Sequence, residues 1–75
     1  MDILAKINEK EVTEDGNIPA GFLFASIKNV GKTTAMVNGV PLPVGESKSY
    51  PFIGKGYQTI SYKPQGTTLR ILSII

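Results

Sequence analysis

Residues 33–44 read Thr-Thr-Ala-Met-Val-Asn-Gly-Val-Pro-Leu-Pro-Val, and this stretch sets the fold class. Asn38-Gly39 lies between two apolar runs, and a two-residue hairpin turn needs positive φ at both positions, which Asn and Gly tolerate best. We therefore predict a β-hairpin with strands at 33–37 and 40–44. Because proline cannot donate to a ladder, Pro41 and Pro43 predict that the second strand lies at a sheet edge.

Alternating strands are predicted on both sides of this hairpin. Residues 22–30, 47–52 and 57–63 each show a period of two. The sequence Lys63-Pro64-Gln65-Gly66 predicts a turn with proline at its second position, where its fixed φ is favourable. Turn signals about every ten residues are typical of an all-β fold, a small antiparallel β-sandwich or barrel.

The last predicted strand, residues 67–75, is apolar on both faces. Leu69, Ile71 and Ile75 share one face, and Leu72 and Ile74 share the other. A half-exposed strand should alternate apolar with polar residues, so this strand is predicted to be central in its sheet or covered by a partner subunit.

Residues 1–20 form a separate segment, an N-terminal arm or an extra strand, that precedes the sandwich domain of residues 21–75. Ile3, Leu4 and Ile7 fit one turn of an amphipathic helix, whereas Ile3, Ala5 and Ile7 fit a strand equally well. A turn signal at Asp15-Gly16-Asn17 follows. The sequence leaves both conformations open.

Length and composition limit the ways in which this chain can be stabilised. Seventy-five residues make one domain at most, and 41% of them are hydrophobic. The chain has no cysteine and no histidine, which excludes disulfides and the usual zinc sites. Oligomerisation remains the natural supplement. The N-terminus has no signal-peptide pattern and no apolar run could span a bilayer, which predicts a protein made in a cytoplasm without a membrane partner.

Charge is distributed unevenly along the chain. Residues 1–20 carry two lysines against five acids, a net of −3, whereas residues 21–75 carry six basic residues against Glu46 alone, a net of +5. The simpler interpretation is solvated surface charge. The alternative is that the acidic segment lies against a basic face, in its own subunit or in a neighbour.

The residue types that most enzymes use are missing. Glu46 is the single acid in residues 21–75, and without histidine or cysteine the commonest nucleophile and base constellations cannot be built. The acids of the N-terminal segment lack the spacing of a calcium loop. We therefore predict no catalytic residue, no metal ligand and no cofactor.

One basic-aromatic group, Lys55, Tyr57 and Lys63, is a possible ligand surface. Basic and aromatic residues on small barrels stack and bind single-stranded nucleic acid. However, Tyr57 and Tyr62 point to opposite faces by parity, which favours Tyr62 in the core and Tyr57 at a rim. Phe and Tyr side chains could also form a sugar platform, although core packing explains most of them more simply.

From residue 27 onward the order of strand and turn motifs is similar to that of a known group. The matching segments are Ile-Lys-Asn-Val-Gly at 27–31, Val-Asn-Gly-Val-Pro-Leu at 37–42, Gly-Glu-Ser at 45–47, Gly-Lys-Gly-Tyr at 54–57, Ile-Ser-Tyr at 60–62 and Gly-Thr-Thr-Leu-Arg-Ile at 66–71. This pattern resembles the small β-sandwich accessory proteins of bacteriophage virions, and it covers about two thirds of the chain.

The resemblance implies a non-enzymatic structural protein of a virion, made in the host cytoplasm and present in many copies, in a capsid decoration, a vertex or a tail. Its partners would be further copies of itself, a major capsid protein or a tail protein. The residues expected at the assembly interface are Ile3, Leu4, Ile7, Leu72 and Ile74. The alternative is a small β-barrel binding module, which would hold a glycan or a host surface through exposed aromatics, or single-stranded nucleic acid through Lys55, Tyr57 and Lys63.

Overall fold

The computed structural model describes Leu4 and residues 6–75, and it is all-β. Two antiparallel sheets of four strands each make a small β-sandwich, which confirms the predicted fold class. The strands are β1 (Ile7–Val12), β2 (Gly16–Ile18), β3 (Phe24–Asn29), β4 (Ala35–Val37), β5 (Val40–Leu42), β6 (Ser47–Tyr50), β7 (Ile60–Lys63) and β8 (Leu69–Ile74).

The first sheet has the order β1-β8-β3-β6, and we call it the A sheet; the second has the order β2-β7-β4-β5, and we call it the B sheet. β8 lies between β1 and β3, so of the two alternatives for the final strand the structure shows the central position. Leu69, Ile71 and Ser73 of β8 are buried against the B sheet, whereas Leu72 and Ile74 on the other face are half-buried.

The Asn-Gly hairpin forms as its sequence predicts. Asn38 and Gly39 have φ values of 52° and 76°, and Val37 is the Cα partner of Val40 across the turn. β5 is the edge strand of the B sheet, where the missing N–H of Pro41 leaves no ladder position empty. Both strands are shorter than predicted, because β4 begins at Ala35 and β5 ends at Leu42.

Two predictions in the second half of the chain are wrong. The Thr67 N–H donates to the Pro64 carbonyl, and Gln65 and Gly66 have positive φ, so Pro64 begins this turn instead of occupying its second position. The second error concerns residues 51–59, predicted partly as strand, which form a loop. β6 ends at Tyr50 because Pro51 cannot continue a ladder.

The N-terminal segment contributes one strand to each sheet. β1 pairs with β8 and β2 pairs with β7, so Ile7 lies in a strand and the helical alternative is wrong there. Lys6 and Ile75 exchange two backbone hydrogen bonds and extend the β1–β8 ladder by one pair. Ile3 and Ala5, on which part of the prediction rests, lie outside the described residues.

The core lies between the sheets and is closed at one end by three aromatic rings. Phe22 is buried and stacks on Tyr57 with ring centroids 4.9 Å apart, while Tyr50 meets both rings edge-on. Tyr62 is buried, as its parity predicts. Tyr57 also exchanges backbone hydrogen bonds with residues 21 and 22, which attaches the 51–59 loop to the core.

The opposite end of the sandwich is held by a buried asparagine. The Asn29 amide group donates to the Thr33 and Leu42 carbonyls at 2.8 and 2.9 Å. Its side-chain oxygen accepts from the Gly31 N–H at 3.2 Å and from the Thr67 hydroxyl at 2.7 Å. Two of the motifs that carry the virion resemblance, Asn-x-Gly at 29–31 and Gly-Thr-Thr-Leu at 66–69, therefore meet in one network that joins the two sheets.

Gly31 is required by this contact, and we expect Gly31→Ala to lower the stability. A Cβ at position 31 would overlap the Thr67 hydroxyl and lie 2.5 Å from the Thr68 backbone N. Overpacking of this kind costs about 2 kcal/mol, which lowers the melting temperature of a domain this size by about 8 to 16 °C. Thermal unfolding measures the change, and Val30→Ala at the exposed neighbouring position is the control. Equal melting temperatures for the two variants would contradict the network.

Candidate assembly surface

The outer face of the A sheet, directed away from the core, is the candidate functional surface. Side chains alternate along β8, so Arg70, Leu72 and Ile74 lie on this face while their neighbours are buried. Residues directly opposite in an antiparallel ladder share a face. The strand register therefore gives the layout of the surface across β1, β8 and β3.

The surface is divided into an apolar end and a charged end. The apolar row consists of Ile7, Ile74 and Phe24, which are Cα partners across the three strands. The middle row consists of Glu9, Leu72 and Ser26. The charged row consists of Glu11, Arg70 and Lys28. Leu72 continues the apolar end toward the centre of the face.

Exposed apolar residues of the two chain ends lie near the apolar end, although Ile75 shares the side of β8 that carries Leu69 and Ile71. Leu4 is 83% exposed, Ile7 60% and Ile75 54%, values far above those of an ordinary strand position over a core. The backbone pairing of Lys6 with Ile75 holds this end together. Of the five residues predicted at an assembly interface, the structure thus places Ile7, Leu72 and Ile74 on this one face and Leu4 at its apolar end.

A shallow depression of about 670 Å³ lies over the middle and charged rows. It forms because Ser26 is short, while Phe24 and Lys28 on the same strand and Leu72 beside it are long. Its lining is Glu9, Lys10, Glu11, Phe24, Ser26, Lys28, Arg70, Ile71 and Leu72. The depression is open to solvent and mostly apolar, which suits a docked side chain better than an enclosed small molecule.

One ion pair crosses the charged row within the subunit. Arg70 donates to one carboxylate oxygen of Glu11 from Nη2 at 2.9 Å and from Nε at 3.2 Å. Both side chains are exposed, so the pair contributes at most about 1 kcal/mol to folding. An acid of the N-terminal segment thus lies against a base of the body in its own subunit, one of the two arrangements that the charge pattern suggested.

The second predicted set of residues does not form one surface. The ring of Tyr57 is stacked on Phe22, and its hydroxyl donates to the Pro51 carbonyl at 2.7 Å. The face of the Tyr57 ring that is stacked on Phe22 is therefore unavailable to a ligand. Lys55 is exposed in the 51–59 loop, whereas Lys63 lies on the outer face of the B sheet, opposite Met36. The basic-aromatic pattern reflects a packed rim residue and two separate surface lysines.

Phe24, Lys28 and Arg70 belong to the outer face but were not among the predicted site residues. The alternation Phe24-Ser26-Lys28 is present in the sequence, yet nothing in it says which strand lies alongside. The 51–59 loop was also missed as an exposed feature: Phe52 is 63% exposed, although the sequence pattern placed it on the same side of a strand as Tyr50.

The fold and surface define a small all-β sandwich with one unpartnered, half-apolar sheet face. No family model matches the chain, and neither a curated protein nor a solved structure matches it. Over Leu4 and residues 6–75, acidic side chains form no cluster of three that could hold a metal ion. The same part of the chain has no helix that could cross a membrane.

Proposed function

We propose that this chain is a non-enzymatic structural subunit of a bacteriophage virion, which assembles through the outer face of its A sheet. The observation that carries the proposal is the apolar row Ile7, Ile74 and Phe24 on a sheet face, next to the half-buried Leu72. Apolar side chains grouped in this way mark an interaction surface rather than a solvated one.

The assignment to a virion is supported by the motifs at 27–31, 37–42 and 66–71, which resemble accessory proteins of that kind. In this chain the first and last of these motifs meet at Asn29 and Thr67, so they support the sandwich itself. A sandwich with one partly apolar outer face suits a subunit present in many copies, because many weak contacts made together give strong overall binding.

Incorporation of variants into particles tests the proposal. The chain would be co-expressed with the proteins encoded by its adjacent genes, and particles would be separated by sedimentation. We expect Leu72→Ser with Ile74→Ser to reduce incorporation, since the loss of two apolar contacts costs about 2 kcal/mol, or about thirtyfold in a dissociation constant. Ile7→Ser, at a position already 60% exposed, should act in the same direction with little effect on folding.

Val40→Ser with Val44→Ser is the matched control, because these two valines are exposed and neither belongs to the A sheet. The control should enter particles as the wild type does. Equal incorporation of all variants, or no incorporation of the wild type, would overturn the proposed function. Urea unfolding of each variant separates loss of assembly from loss of the fold.

A further inference from the structure

We propose that the outer face of the A sheet binds a second copy of this chain, face to face, about a two-fold axis that runs along β8. This inference rests on the proposed function and names the partner of the same surface. It is carried by the order of residues on the face, because a single orientation of a second copy places the apolar row on the apolar row and also Glu11 on Lys28.

The apolar-to-charged gradient along the strands selects the direction of the axis. A two-fold axis parallel to the strands places each row on the same row of the second copy, so the Ile74 side chains meet each other and Ile7 meets Phe24. An axis perpendicular to the strands would place this apolar row on the charged row, which would remove the Glu11–Arg70 pair from water and bury Lys28 against apolar side chains. The self-complementary contact is therefore the parallel one.

The charge order across the strands selects the position of the axis. Within the charged row, Glu11 lies on β1, Arg70 on β8 and Lys28 on β3. An axis along β8 exchanges β1 with β3, so Glu11 of each copy faces Lys28 of the other. The same axis brings the two Arg70 side chains together, and the Glu11 carboxylate of its own subunit offsets the charge of each; the face as a whole carries two acids, Glu9 and Glu11, and two bases, Arg70 and Lys28, so its formal charges cancel. Each Arg70 retains its own Glu11 partner.

Pairing through the free edge of β1 is the competing self-association, and its charges oppose it. Two antiparallel registers between the β1 strands of two copies keep both outer faces on the same side and overlap most of the strand. One places Glu9 opposite Glu9, and the other places Lys10 opposite Lys10. Like charges directly opposite in a ladder are destabilising. Charged residues on an edge strand are a common means of preventing such pairing.

The size of the face predicts a weak dimer. Three strands about 4.8 Å apart with six residues of about 3.3 Å rise give a footprint of about 300 Å² per copy. A stable dimer usually buries about 800 Å² per partner. The exposed Ile7 adds apolar area at one end of the contact. We therefore expect association of the isolated chain at micromolar to millimolar concentration, reinforced by repetition in an assembly.

Reciprocal charge reversal tests the arrangement. In the dimer of the Lys28→Glu variant, both symmetric contacts between positions 11 and 28 join two carboxylates. In the dimer of the Glu11→Lys variant, the same two contacts join two ammonium groups. Each variant alone should dimerise about tenfold more weakly than the wild type at low salt. An equimolar mixture of the two variants should recover about the wild-type affinity, because both contacts of the mixed dimer then join opposite charges. Lys63→Glu, on the outer face of the B sheet, is the control and should leave dimerisation unchanged.

The mixed dimer should differ from the dimer of either variant alone in its dissociation constant. In the mixture, one contact joins the native Glu11 of the first variant to the native Lys28 of the second, and the other joins the two substituted side chains, again with opposite charges. Both contacts are therefore attractive, and the mixed dimer should be about as stable as the wild-type dimer.

Sedimentation velocity on the purified chain measures association, and native mass spectrometry with one isotope-labelled variant identifies the mixed dimer. A wild type that remains monomeric at millimolar concentration, or a mixture no stronger than either variant alone, would overturn this inference. The proposed function is judged separately: if the charge variants enter particles normally while Leu72→Ser with Ile74→Ser does not, the face binds another protein and only the self-pairing fails.

Discussion

Replacing Asn29 by alanine is expected to remove a large part of the protein's free energy of unfolding, although Asn29 lies away from the candidate assembly surface. The change leaves the Leu42 carbonyl and the Thr67 hydroxyl without their partner in a buried site, and the Thr33 carbonyl and the Gly31 N–H without it in a partly buried one. Each unsatisfied buried group costs about 1 to 3 kcal/mol, and partial hydration reduces the sum to about 3 to 5 kcal/mol. A 75-residue domain has a total stability of about 4 to 11 kcal/mol.

Urea unfolding followed by circular dichroism measures this loss. Asn17→Ala is the matched control, because Asn17 is exposed on β2 and should change the free energy of unfolding by less than about 0.5 kcal/mol. Thr67→Val, which removes one of the four hydrogen bonds, should cost about 1 to 2 kcal/mol and remains measurable if Asn29→Ala does not fold. An Asn29→Ala protein with the wild-type midpoint would show that the network does not stabilise the sandwich.

Phe22→Ala should have an effect of similar size at the other end of the core. Phe22 is 1% exposed, stacks on Tyr57 and meets Tyr50 at a centroid distance of 6.3 Å. Truncation of a buried phenylalanine costs about 3 to 5 kcal/mol through lost burial and the cavity that remains. Because Tyr57 attaches the 51–59 loop to the core, we also expect faster amide hydrogen exchange at residues 55–58.

Phe52→Ala provides the same chemical change at an exposed position, and it should alter the free energy of unfolding by less than about 0.5 kcal/mol. The substitution is identical and the burial differs, so the difference between the variants isolates the contribution of the aromatic cluster. If both variants unfolded at the same urea concentration, Phe22 would not be the core residue that its position indicates.

A domain this small has a limited hydrophobic core, and the Asn29 hydrogen bonds and the aromatic cluster both compensate for it. Hydrogen bonds at Asn29 join β3 to β5 and to the turn before β8, whereas the aromatic cluster joins the 51–59 loop to the start of β3. Both ends of the sandwich are therefore closed by contacts within the subunit. The side chains on the outer face of the A sheet take no part in either network.

Local signals in the sequence predicted several elements correctly. Asn38-Gly39 predicted its hairpin because the turn depends on the φ preferences of two adjacent residues. Pro41 predicted an edge strand because the missing N–H is a local property. Leu72 and Ile74 predicted a final strand that is either central or covered by a partner, because alternation along one strand indicates which of its faces are apolar. Each of these predictions needed only residues close together in the chain.

Tertiary structure decided the features that depend on distant residues. The all-β class, the hairpin and the two-faced final strand follow from local patterns in the chain. Those patterns could not show that β1 pairs with β8 about 60 residues away, that Asn29 meets Thr67, or that Glu11, Arg70 and Lys28 share one row. Long-range register results from the packing of whole faces against each other, and no residue carries that information by itself. The candidate surface exists only once three strands from both ends and the middle of the chain lie side by side.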